Sequence, residues 1–121
     1  MSATIVQNSQ RTFVAGEALN PYLLVKVEAD GHVVKAGAVA DQPLVGVTTT
    51  SASNAGATTI SLVNGGGTAY ATANEAIAAG DLVFTAADGK ITSSVLLHTK
   101  VGVALEASSA DGDVIEISFF Q

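Results

Sequence analysis

The feature that most constrains the fold is an internal echo. Ala15–Val33 reads A-G-E-A-L-N-P-Y-L-L-V-K-V-E-A-D-G-H-V, and Ala73–Ile91 reads A-N-E-A-I-A-A-G-D-L-V-F-T-A-A-D-G-K-I. The two stretches align without a gap at an offset of 58 residues. Identities fall at Ala15/Ala73, Glu17/Glu75, Ala18/Ala76, Leu24/Leu82, Val25/Val83, Ala29/Ala87, Asp30/Asp88 and Gly31/Gly89. Turn residues and core positions recur together, which composition alone does not produce. The expectation is a duplicated β unit.

Each unit carries strand and turn signals in the same order. Leu23–Ala29 and Asp81–Thr85 read as strands, each followed by Asp-Gly, where Gly supplies the positive φ of a tight turn. Val45-Gly46-Val47 returns as Val101-Gly102-Val103 at an offset of 56, so two residues are missing between these paired strands. Asp113–Phe119 alternates, with Ile115, Ile117 and Phe119 on the expected core face. Strand alternation places Leu23, Val25 and Val27 on one face and Leu24, Lys26 and Glu28 on the other. Thr72-Ala73-Asn74-Glu75 matches a capping box, which predicts one helical turn through Ala79 closed by Gly80. No segment sustains a helical period. The fold class expected is all-β: a small β-barrel or β-tulip-like sandwich of two similar β units, with at most one or two short helical turns. Residues 1–11 read as an N-terminal arm and 12–121 as a single β domain. Within it, repeat one spans about 12–64, a glycine hinge 65–67 and repeat two about 68–121.

Composition narrows the functions. Charged residues are 13% and the net charge is −6, with Arg11, Lys26, Lys35, Lys90 and Lys100 scattered along the chain. No basic patch forms, so nucleic acid is not an expected partner. A surface so poor in charge points to coverage by protein partners. No apolar run approaches a membrane span, and the N-terminus lacks a signal-peptide pattern, so no membrane partner is expected and synthesis in a cytoplasm is. There is no cysteine, hence no disulfide or thiolate chemistry.

No constellation of residues announces catalysis, a cofactor or a metal. His32 and His98 are the only histidines, and no ligand spacing links them. His32 reads as a solvated turn residue and His98 as a subunit contact. Asp30, Asp88, Asp111 and Asp113 lie at glycine-containing turns, where Asp bonds the local backbone. Glu17 and Glu75 are equivalent by the repeat, and capping is the simpler role for both. Gly65-Gly66-Gly67 reads as a hinge, since no helix or lysine follows to make it a phosphate cradle. Thr4, Ile5, Val6 and Gln7 in the arm are able to add as an edge strand on a partner. Of the terminal pair Phe119 and Phe120, one points inward and Phe120 is the candidate subunit contact.

The pattern E-A-I-A-A-G-D-L-V-F, A-D-G-K-I, V-G-V-A-L-E-A, D-V-I-E-I-S-F resembles tailed-phage capsid cement (head decoration) proteins. Repeat one similarly looks like the β-tulip unit of lambda-type decoration proteins. The resemblance covers the chain from about Val14 onward and rests on turns and strands, not on a chemical signature. It implies a virion protein on the capsid exterior, a homotrimer that bridges major capsid proteins and stabilises the mature shell by binding energy. The alternative is a phage fibre-base or adhesion module that binds glycans. Against it, Tyr22 and Tyr70 are the only tyrosines and tryptophan is absent, while sugar platforms use exposed rings.

Overall fold

The computed structural model describes residues 10–40, 42–63, 67–93 and 99–119. The strands are β1 (Gln10–Val14), β2 (Leu24–Val27), β3 (Val33–Lys35), β4 (Leu44–Thr48) and β5 (Ala57–Leu62) in the first half. The second half has β6 (Thr68–Thr72), β7 (Leu82–Thr85), β8 (Ile91–Thr92), β9 (Lys100–Ala104) and β10 (Val114–Phe119). Each half makes its own five-stranded sheet, in the order β1-β5-β4-β2-β3 and β6-β10-β9-β7-β8. All the named strand pairs are antiparallel. The second order is the first with every strand replaced by its repeat equivalent, so the all-β fold of two similar units is what the sequence led one to expect.

The duplication reaches single residues. A register shift follows Val25 in β2 and Val83 in β7. Parallel bridges join Ala15 to Val33 and Ala73 to Ile91, and antiparallel ones join Leu19 to Ala52 and Ile77 to Ser108. Gly46 and Gly102 show why V-G-V recurs. A Cβ at Gly46 would stand 2.0 Å from the Ser61 carbonyl oxygen, and one at Gly102 would stand 1.9 Å from that of Ser118. Only glycine lets the two strands approach so closely.

The predicted helical turn over 72–79 does not form. The amides it would need are taken by other segments: Ala73 N–H donates to Asp113 O, Asn74 N–H to Ile91 O, and Ile77 N–H to Ser108. Gly80 ends this stretch with φ 93. A short 3₁₀ turn lies instead at Ala87–Gly89, on the Asp-Gly signal, with Asp88 at φ 61.

Each sheet curls over a core of its own. In the first half Ala15, Leu19, Val25, Val33 and Ile60 are buried together. Their equivalents Ala73, Ile77, Val83, Ile91 and Ile117 lie in the second core, which also takes in Leu24, Ala36 and Val47 from the first half. Sheet one is therefore covered on both faces around β2. Leu24 and Val25, on opposite faces of β2, are both fully buried, so the face that Leu24 shares with Lys26 and Glu28 is covered at Leu24. Its burial and that of Val47 each contribute about 1.5–3 kcal/mol to holding the halves together.

Candidate functional site

Several carboxylates are tied to the backbone in structural roles. Glu17 Oε2 accepts from Lys35 N–H at 2.7 Å, and Glu75 Oε2 accepts from Ser93 N–H at 3.0 Å and from the Thr92 hydroxyl. Both carboxylates thus pin the chain at or just beyond the end of the third strand of their half. Neither caps a helix, which corrects the capping role read from sequence. Asp30 accepts from His32 N–H at 3.0 Å and pairs with the imidazole at 3.4 Å. Lys90 Nζ meets Asp111 at 2.8 Å on the surface.

Asp113 Oδ2 gathers three donors: Ser109 N–H at 2.8 Å, the Ser109 hydroxyl at 3.0 Å and Ala110 N–H at 3.2 Å. These bonds, the Ser109 amide first, hold its carboxyl below the usual 3.8 because they favour the charged form. The aspartate shapes a loop, as its turn position predicted. Among the described residues no cluster of His, Asp or Glu could hold a metal ion.

What remains is surface. The halves meet through Leu24, Ala36 and Val47 and through a rim of polar bonds. Thr72 donates to the Tyr22 carbonyl from its amide at 3.0 Å and from its hydroxyl at 2.9 Å. Gly89 N–H donates to Ala36 O at 2.9 Å, and Thr99 to Val39 O from its amide at 3.0 Å and its hydroxyl at 2.9 Å. The Gln42 amide reaches Thr85 and Thr99 hydroxyls at 3.1 and 3.2 Å. Above this junction the two tyrosines, one from each half, meet edge to face with centroids 6.2 Å apart. They flank a groove of about 180 Å³ whose floor includes Thr48, Thr49, Ser61 and Thr68. Tyr22 sits at φ 65, a left-handed conformation unusual for a bulky residue. Sequence reasoning counted these tyrosines but could not bring them together, since the contact spans the two halves.

A second groove, of about 320 Å³, opens at the end of the first core between Arg11, Phe13, Leu44, Val45, Leu62 and Val63. The Arg11 guanidinium lies over the Phe13 ring at 4.6 Å, a cation–π contact. The arm residues Thr4, Ile5, Val6 and Gln7, and the candidate subunit contacts His98 and Phe120, lie outside the described residues.

The sequence from 9 to 119 matches the model of a family described as phage cement protein. A search of curated proteins found no match. Among solved structures, the chain resembles the head fiber gp8.5 N base of bacteriophage phi29, with a TM-score of 0.72 and 17% identity. That alignment covers 92% of each chain. At such identity the likeness shows a shared fold.

Proposed function

The chain belongs to the phage cement protein family, a family of capsid-stabilising virion proteins, and from that premise we propose that it binds the outer surface of the expanded shell as a homotrimer bridging neighbouring major capsid proteins. The family match over nearly the whole chain carries this reading. The surface is consistent with it: the carboxylates of Glu17, Asp30, Glu75 and Asp113 bond backbone amides at turns and strand ends, and large apolar side chains such as Val39, Tyr70 and Leu82 are exposed.

The mechanism is binding energy without catalysis. A ligand that binds the mature lattice and not the disassembled subunits stabilises the lattice by mass action, by about 2.7 kcal/mol per site at a hundred times its Kd. A trimer engaging several capsid subunits adds avidity. Residues 1–9 precede β1, an edge strand of its sheet. Thr4–Gln7 are therefore well placed in the chain to pair with a strand of the capsid protein.

Co-sedimentation with expanded and unexpanded shells tests the proposal. The protein should pellet with expanded shells alone, and deletion of residues 2–9 should weaken that binding without changing the circular dichroism of the domain. Equal binding to both shells, or to neither, would refute the reading; full affinity after the deletion would remove the arm from it. The adhesion reading has one observation in its favour, the paired exposed rings of Tyr22 and Tyr70. It requires binding to glycans or cells in the absence of capsid.

A further inference from the structure

We propose that a second copy of this chain docks its Leu82–Val103 face over the open Phe13–Val45–Leu62 mouth, repeating between chains the junction that joins the two halves within one chain. The proposal rests on the self-association in the proposed function and names the surfaces that would produce it.

By register, Phe13, Val45 and Leu62 correspond to Ala71, Val101 and Phe119. In the second half these three are buried, at 0%, 2% and 5% exposure, in the core that Leu24, Ala36 and Val47 of the first half complete. In the first half the same mouth is the groove of about 320 Å³, and no described residue closes it. The residues that close the second mouth have open counterparts too. Leu24 faces Val47 across strands β2 and β4, and Leu82 faces Val103 across β7 and β9. Leu24 is fully buried, whereas Leu82 is 47% exposed and Val103 only half-buried.

The turns agree. Gly89 is buried, and a Cβ there would stand 3.1 Å from Leu23 Cβ across the junction. Its counterpart Gly31 is exposed with nothing within 4 Å of the same position. Among the described residues, one chain thus presents a used junction, an unused mouth at one end and an unused face at the other. The two surfaces differ, so the contact is head-to-tail and generates a closed ring where the rotation allows. With three chains, six similar units would alternate around that ring. The substitutions between halves suit a junction that forms between chains. Asp81 stands where the first half has Leu23, and Arg11 where the second has Ala69, so opposite charges lie on the two sides.

Sedimentation velocity on the full chain, with Leu82→Glu and with the double variant Gly31→Cys/Asp81→Cys, tests the proposal. The native protein should sediment at three times the 12.1 kDa of one chain. Leu82→Glu should fall to one chain with its circular dichroism unchanged, since the side chain is half exposed. The chain has no native cysteine. After oxidation the double variant should therefore give dimer and trimer bands on a non-reducing gel, and neither single variant should. A native protein that stays monomeric at all concentrations overturns both the ring and the self-association it rests on. An oligomer that survives Leu82→Glu, or cross-links through one cysteine alone, keeps self-association and overturns the head-to-tail surfaces.

Discussion

The two halves share a topology, a bulge, a pair of bridges and a glycine contact, yet they differ in what covers them. In the second half the core mouth is sealed by the first half. In the first half it is open among the described residues, and the apolar pair that would seal another mouth, Leu82 and Val103, is turned to solvent or half-covered. Positions that agree between halves answer to the fold of one unit. Positions that disagree answer to the neighbours of that unit. Tyr22 and Gly80 are the sharpest disagreement. Both occupy the left-handed region, at φ 65 and 93, and both amides donate to equivalent carbonyls, of Thr48 and Ala104. Glycine takes this conformation without penalty; tyrosine takes it where its carbonyl receives two bonds from Thr72 and its ring meets Tyr70.

The comparison can be broken at its strongest shared point first. Gly46→Ala and Gly102→Ala should each cost about 3 kcal/mol, because a Cβ collides with backbone that cannot yield. Urea denaturation would show this, and a large gap between the two variants would mean the units are not equivalent. Leu24→Ala and Leu82→Ala should then separate the halves: about 2–4 kcal/mol for the buried leucine, and within about 0.5 kcal/mol for the exposed one in the monomer. Equal costs would deny the asymmetry.

Gly80→Ala should cost about 1 kcal/mol of left-handed strain. Tyr22→Gly should change stability by less than about 1 kcal/mol, since relief of that strain offsets the lost ring contact. The smallest effect concerns Asp113, whose counterpart Gly56 has no carboxylate. Its folded pKa is lowered, so its contribution is present above about 3.8 and is lost as pH falls through the folded value. Asp113→Asn should flatten the acid limb of the stability profile there, and an unchanged limb would contradict the assignment.

Much of this architecture could be read in the chain because the repeat marks its own punctuation. Asp30-Gly31 and Asp88-Gly89 announce turns, and the V-G-V pairs announce the closest strand approach. The faces were harder. Alternation puts Leu24 on the same face as Lys26 and Glu28, but Leu24 is buried in a core built mostly from residues of the second half, and no local pattern encodes that. The capping-box reading of Thr72–Glu75 failed for a similar reason: Glu75 bonds Ser93, 18 residues on. A signal was present all the same. Glu17 recurs with Glu75, while the position of Thr72 is held by Val14, which has no side-chain oxygen. A role shared by both glutamates could not depend on that cap. The Tyr22–Tyr70 contact joins the two units and left no trace in either.

The central claim is that this duplicated unit stabilises a shell by binding it. Scanning calorimetry of expanded, undecorated shells titrated with the purified protein tests this most directly. The rupture transition should move to higher temperature with added protein and stop moving once the sites are filled. Saturable binding with no shift in the rupture temperature would contradict the account.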